Sequence, residues 1–88
     1  MGTPLTEYQI LYWRDLPAQV RVYQNGRPRS HKLPDRFQEE IDRVAMVEGL
    51  ANTDAYLEQW AWSEKMTRSG NPTEVAEEVV RELVARQS

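Results

Sequence analysis

The alternation of apolar and polar residues predicts β-strands in the first part of the chain. Residues 7–14 are apolar at both positions of a two-residue period, which is typical of a strand covered on both faces inside a sheet. Residues 18–24 place Val20 and Val22 between polar neighbours and predict a half-buried strand. Residues 15–17 end in Pro17, which has no N–H to give to a ladder, so we expect a break there.

A hairpin is predicted after the second strand. Asn25 and Gly26 both tolerate the positive φ of a type I′ turn. Pro28 then limits residues 29–32 to an irregular or edge strand, because proline cannot donate to a ladder. A third strand is therefore expected only at the margin of the sheet.

Helical spacing of apolar residues begins after Leu33. Pro34 suits the first helical turn, and Asp35 with Gln38 is the alternative start, as a capping box. The buried stripe is predicted at Phe37, Ile41, Val44 and Ala45. Gly49 ends the helix, since glycine adopts the left-handed conformation without cost.

The last helix carries the clearest start signal in the chain. Asn71 caps it, Pro72 takes the first position and Glu74 completes an N-x-x-E box. On its outer face we expect Glu82 to pair with Arg86, four residues later. Its buried stripe is predicted at Val75, Val79 and Leu83, widened by Ala76, Val80 and Val84.

Residues 55–64, which hold Trp60 and Trp62, fit two different elements. In a helix, Tyr56 and Trp60 stack one turn apart, and Thr53 or Asp54 supplies the cap. In a strand, both tryptophans face the same way. Aromatic enrichment and the need of the sheet for another strand favour the strand.

The strand interpretation also predicts where the two tryptophans lie. We expect Trp60 to pack beneath the helices with Phe37 and Leu83. Trp62, nearer the end of the strand, is expected to be less covered.

The order of elements predicts an α+β fold. A small sheet of three or four strands with two helices packed on it, in the order β-β-(β)-α-β-α, buries both kinds of apolar surface. The 88 residues are enough for one compact domain. We expect a flexible leader over residues 1–6, because this segment contains glycine and proline, and a single domain over 7–88.

Composition excludes several classes of function. The net charge of −3 rules out wholesale electrostatic binding to nucleic acid, which needs a cationic face. The absence of cysteine removes disulfides, thiolate chemistry and iron–sulfur ligation. No apolar run is long enough to span a bilayer and no signal peptide is visible, so we expect a cytoplasmic protein without a membrane partner.

No catalytic constellation or metal site is predicted. His31 is the only histidine, and it lies beside Lys32 in a basic segment, which is typical of a solvated loop residue. The chain has none of the glycine-rich phosphate loops or nucleophile-elbow motifs. We therefore expect no cofactor, and the protein is more consistent with a binding role than with an enzyme.

Two sets of residues are candidates for binding. Guanidinium groups beside a helix start can hold a phosphate or carboxylate, and this points to an anion site at Arg27, Arg29, His31, Lys32 and Arg36. Exposed aromatic residues often anchor protein interfaces, and this points to Trp13, Tyr23 and Trp62. Core packing is the commoner use of such aromatic residues.

Three blocks in order resemble a small bacterial virulence factor domain family. They are residues 8–20 (YQILYWRDLPAQV), residues 33–39 (LPDRFQE) and residues 54–62 (DAYLEQWAW), and with the last helix they cover nearly the whole chain. Members of this kind are stand-alone proteins of about this size or a segment of larger conserved virulence factor C-like proteins. In the larger proteins, the resemblance implies neighbouring domains such as an Nfu-type scaffold domain and helical repeats. For the stand-alone members, it implies a place near genes of one-carbon and corrinoid methyl transfer.

The resemblance implies an accessory role and supplies no catalytic residues. Our leading hypothesis is a non-enzymatic accessory or scaffold module of bacterial metabolism or virulence that binds a protein partner. The alternative is a small anion- or metabolite-binding protein that uses the basic residues of 27–36.

Overall fold

A computed structural model describes residues 4–86, which form five antiparallel strands and three helices. The chain order is β1 (Leu5–Trp13), β2 (Leu16–Gln24), β3 (Arg27–Lys32), α1 (Asp35–Val47), α2 (Asp54–Glu58), β4 (Trp60–Trp62), β5 (Met66–Ser69) and α3 (Pro72–Arg86). The predicted α+β class is confirmed, and the order differs from the prediction by the addition of α2 and β5. None of the helices within residues 4–86 has both the length and the apolar character to cross a bilayer.

β1 lies inside the sheet, as predicted, but it is not covered on both faces, because its buried residues alternate with exposed and half-buried ones from Leu5 to Leu11. It pairs with β2 along one side, and β3 continues the sheet beyond β2. Along the other side it pairs with β4 near Trp13 and with β5 near Leu5. Ser63 lies between these two short strands, and its hydroxyl accepts a hydrogen bond of 2.9 Å from the Ile10 amide. The ladder of β1 is thereby continued across the gap.

The turns follow the predicted chemistry in one place and differ from it in another. Asn25 and Gly26 have φ of 52° and 79°, so the predicted hairpin is confirmed, with β3 at the edge of the sheet. The break predicted at residues 15–17 falls at Arg14 and Asp15, and Pro17, expected to make it, lies within β2 opposite Tyr12, where the register shifts. A proline is tolerated there because an irregular position needs no regular ladder bond.

One of the two predicted capping boxes forms and the other does not. α3 begins as predicted, since the Glu74 amide donates to Asn71 Oδ1 at 2.8 Å and Asn71 Nδ2 donates to Glu74 Oε1 at 3.0 Å. The capping box at the start of α1 does not form. Pro34 occupies the cap position without a side-chain bond, and Gln38 donates to Asp42 instead. Local sequence allowed both starts for α1, and the chain uses the proline.

The ambiguous segment 55–64 contains both of the predicted elements in succession. Thr53 caps α2 by accepting a hydrogen bond from the Tyr56 amide at 3.3 Å, and the helix ends after one turn. β4 then places Trp60 opposite Trp13 and Trp62 opposite Leu11. The helix prediction holds for Tyr56 and the strand prediction for Trp60 and Trp62, because the chain changes from helix to strand between them.

Two clusters of buried residues form the core. The larger lies between α3 and one face of β1 and β2, with Phe37 of α1 included. The smaller surrounds Trp13 with Ile41 and Ala45 of α1, and Tyr56 and Trp60 pack against it. Trp60 therefore packs around Trp13 rather than with Phe37 and Leu83 as predicted, because β4 pairs with the far end of β1.

The N-terminal part of the chain is ordered from an earlier point than the predicted leader suggests. β1 begins at Leu5, and Thr6 is buried and donates from its hydroxyl to the Gly70 carbonyl at 2.7 Å. The first three residues of the predicted leader lie outside the described residues, so the domain boundaries stay a prediction.

Candidate interaction surface

The helices cover one face of the sheet and leave most of the other uncovered. Successive side chains of a strand point to opposite faces of the sheet. Along residues 6–11 and 19–23, all the buried side chains point to the same face, and the residues between them are half-buried or exposed. Cross-strand partners share a face, which joins Gln9 to Arg21 and Leu11 to both Gln19 and Trp62. We call this surface the open face; it consists of Glu7, Gln9, Leu11, Gln19, Arg21, Tyr23, Ser30, Lys32, Trp62 and, by its contact with Tyr23, Lys65.

Arg21 stacks on Trp62 at the centre of the open face. The guanidinium carbon lies 3.8 Å from the centroid of the indole ring, within the range of a cation–π contact. The Nε atom is buried and has no hydrogen-bond partner within residues 4–86. A guanidinium flat on an indole keeps its in-plane N–H groups directed sideways, where a carboxylate can meet them.

A second cation lies over the second aromatic ring of the open face. Lys65 Nζ is 4.5 Å from the centroid of the Tyr23 ring. The Tyr23 hydroxyl donates to Gln9 Oε1 at 2.5 Å, and Gln9 Nε2 donates to the Ser63 carbonyl at 2.9 Å. This chain of hydrogen bonds fixes the ring across β1 and the loop before β5, so the surface is preorganised.

Three other arginines of the chain are neutralised by carboxylates. Arg14 pairs with Glu48 at 2.5 Å, Arg43 pairs with Glu40, and Arg68 pairs with Glu78 and Glu82. Among the described residues, none of these ion pairs includes Arg21. The open face carries Arg21, Lys32 and Lys65 together with Glu7, and Asp35 of α1 lines a depression beside Lys32, so the excess of positive charge lies at Arg21 and Lys65.

The three predicted interface residues are not all on this surface. Tyr23 and Trp62 both lie on the open face and are partly exposed. Trp13 is completely buried, and its Nε1 donates to the Tyr56 carbonyl at 2.9 Å. Its role is in the core, because α1 and α2 close over the end of β1.

The five predicted anion-binding residues are spread along an edge rather than brought to one place. Arg27 and Arg29 lie together near the hairpin turn, with Gln24 and Asn25. His31 is opposite Val20 on the covered face, whereas Lys32 is opposite Gln19 on the open face. On α1, Arg36 is remote from the hairpin turn, and its Nη2 donates to the Val84 carbonyl at 3.5 Å. An extended strand separates Arg27 from Lys32 by about 16 Å.

Arg68 is the most heavily paired cation of the protein, and its role is structural. Its guanidinium donates to Glu82 at 2.5 and 2.7 Å, to Glu78 at 2.7 Å and to the Tyr8 hydroxyl at 3.1 Å. These contacts raise its pKa, chiefly through the bonds to Glu82. Glu82, expected to pair with Arg86, thus ties α3 to β5 instead.

Stability is expected to fall as the solution is acidified. The hydrogen bonds from Arg68 hold the pKa of Glu82 below its ordinary value of 4.5, and Arg43 and Arg14 lower the pKa of Glu40 and Glu48 in the same way. A lowered folded-state pKa gives stabilisation that is present above 4.5 and lost as the pH falls through the lowered value.

Urea unfolding between about pH 6 and about pH 3 measures this dependence. Glu82→Gln removes one titrating group, so its stability should change less over that range than that of the wild type. An equal slope for the two proteins would contradict the assignment.

A groove of about 630 Å³ lies between α1 and α2, at the end of the molecule remote from the hairpin turn. The exposed side chains of Met46 and Leu57 line it, with Asp42 and Asp54 at its border. Within residues 4–86, no group of three or more histidine, cysteine or acidic side chains is arranged to hold a metal ion.

Sequence reasoning missed Arg21, Lys65 and Gln9. Each is an ordinary polar residue until the register places Arg21 over Trp62 and Lys65 over Tyr23. The alternation of residues 18–24 was the available signal, because it places Arg21 and Tyr23 on the side away from Val20 and Val22.

Comparison with known protein families identifies most of the chain. A family model described as "Virulence factor" matches residues 11–88. No curated protein and no solved structure matches the chain.

Proposed function

Since the chain belongs to the virulence factor family, we propose that it is a non-enzymatic accessory module of bacterial metabolism or virulence, which works in the cytoplasm by docking a partner protein on its open face. The observation that carries this proposal is the Arg21–Trp62 stack, a half-buried cation without a carboxylate partner on an uncovered sheet. Arginine and tryptophan are the residues most often found at the energetic centre of protein interfaces.

Two further features support docking at this surface. The hydrogen bonds of Tyr23 and Gln9 hold the face in one conformation before a partner arrives. Less conformational entropy is therefore lost on binding. Arg21, Lys32 and Lys65 complement an acidic partner locally at contact, whereas the net charge of −3 opposes its long-range attraction, so the cations set where the partner docks and not how fast it arrives.

Anion binding by the basic residues of 27–36 is the second candidate. Its support is limited to Arg27 and Arg29, which border one depression beside the hairpin turn. A phosphate held by these two side chains would raise the melting temperature, and Arg29→Ala would abolish the rise.

Quantitative co-purification from the native host tests the docking proposal. Arg21→Glu reverses the charge at the centre of the open face, and we expect it to lower recovery of the partner at least about tenfold. The matched control is Arg81→Glu, which makes the same charge change on an exposed residue of α3, beyond the covered face.

The outcomes separate clearly. Far-ultraviolet circular dichroism first establishes that both variants are folded. A protein recovered with wild type and with Arg81→Glu, and lost with Arg21→Glu, supports the proposal. Equal recovery with all three would show that the partner binds elsewhere, and a monomer that captures nothing would contradict the docking function.

A further inference from the structure

We infer that the open face binds an extended acidic segment of the partner, with two carboxylates spaced two residues apart. This inference rests on the proposed docking function and adds the chemistry of the partner. One carboxylate would meet the guanidinium of Arg21, and the other would meet the ammonium of Lys65 above Tyr23.

The first step of the argument is the state of Arg21. Arg21 is half-buried, whereas the other arginines without an ion pair among the described residues are exposed at the surface, and Arg21 is paired with none of the described carboxylates. Among the described residues its Nε is buried without a hydrogen-bond partner, whereas neither Nη atom is in that buried set or has a hydrogen bond within the chain. A carboxylate of the partner would meet the Nη groups, whose charge the chain itself leaves unpaired among the described residues, by a charge-assisted bidentate bond.

The second step is the spacing of the two cations. Arg21 and Tyr23 are two residues apart on β2, so their side chains leave the sheet on one face about 6.6 Å from each other. Lys65 is held over the Tyr23 ring, which places a positive charge near the second position. An extended peptide repeats its side chains at the same interval, so carboxylates at positions i and i+2 match both cations.

The third step distinguishes an acidic protein segment from a nucleic acid. Nucleic acids bound on a sheet stack their bases on aromatic rings. Here a cation already lies over each aromatic ring, so a base would have to displace Arg21 from Trp62 or Lys65 from Tyr23. The net charge of −3 also opposes a polyphosphate chain far more than a segment with two carboxylates.

Peptide titration followed by amide chemical shifts in NMR spectra tests the inference. The probe is the blocked heptapeptide Thr-Thr-Glu-Thr-Glu-Thr-Thr, and its control is Thr-Thr-Glu-Glu-Thr-Thr-Thr, which has the same composition with adjacent carboxylates. Adjacent side chains of an extended peptide face opposite sides, so the control should bind at least about threefold more weakly.

Variants of the chain localise the effect. Arg21→Gln should weaken binding of the probe at least about tenfold, and Lys65→Gln about threefold. Glu7→Gln removes the single carboxylate of the open face and should strengthen binding about twofold. Arg81→Gln, on α3, should leave it unchanged.

Shift changes confined to the open face, with the expected order of the two peptides, support the inference. Equal binding of the two peptides, an unaltered affinity in Arg21→Gln, or tighter binding of an oligothymidylate than of the probe would each overturn it. The docking proposal is judged separately, because a partner lost with Arg21→Glu that lacks an acidic segment would refute the inference alone.

Discussion

Replacing Trp13 with alanine is expected to lower the free energy of unfolding by about 4 kcal/mol, the largest effect of any single substitution considered for this protein. The side chain has no exposed surface, and its ring lies 5.6 Å from that of Tyr56. Alanine would leave a cavity between the end of β1 and the two helices above it. It would also leave the Tyr56 carbonyl without its indole donor.

Trp13→Phe separates these two contributions. Phenylalanine fills most of the volume and lacks only the N–H donor and part of the ring, so we expect a loss of about 1.5 kcal/mol. Urea denaturation followed by circular dichroism measures both variants. A loss below about 1 kcal/mol for Trp13→Ala would contradict the central place of this residue in the smaller core cluster.

The second large effect is expected at the junction between β5 and α3. Arg68→Ala should lower the free energy of unfolding by about 2 kcal/mol, or the melting temperature by about 10 °C. The substitution leaves Glu78 and Glu82 close together without their cation and removes the donor to the Tyr8 hydroxyl. Like charges on successive turns of α3 would then repel each other.

Two comparisons sharpen the Arg68 prediction. Arg68→Lys keeps the charge but lacks the planar fork that donates to both oxygens of Glu82, so its loss should fall between those of wild type and Arg68→Ala. Arg81→Ala, on the exposed side of the same helix, should cost less than about 0.5 kcal/mol. If Arg68→Ala were no worse than Arg81→Ala, the contacts of Arg68 would contribute nothing net to stability.

The parts of the fold that were predictable from sequence depend on local chemistry. Asn25-Gly26 and Asn71 act on residues within three positions, and the structure forms the expected turn and cap. β5 was not predicted, because residues 66–69 have no apolar alternation and acquire their conformation by pairing with the start of β1. The same limit explains Pro17, whose tolerance depends on a register shift that no local pattern reveals.

The candidate surface shows the same division. Tyr23 and Trp62 were selected as interface candidates by residue type, and the structure shows that both are partly exposed on the open face; their role at an interface stays a prediction. The positions of Arg21 and Lys65 over aromatic rings were not predictable. Each contacts a ring about 40 residues away in sequence, Trp62 for Arg21 and Tyr23 for Lys65. Trp13, of the same residue type as Trp62, is buried because α1 and α2 happen to close over one end of the sheet and not over its middle.

β1 pairs on one side with β2, which follows it directly in sequence, and on the other side with β4 and β5, which come late in the chain. This arrangement sets the order in which the open face can be assembled. The ladder of β1 with β2 closes through a short turn, whereas the ladders with β4 and β5 join residues separated by most of the chain, as at Leu5 and Ser69. Closing such long loops is the entropically expensive and slow part of folding. Trp62 reaches Arg21 only when β4 pairs with Leu11. The docking that we propose for the open face would therefore require the completed fold, and a half-folded chain would not compete for a partner.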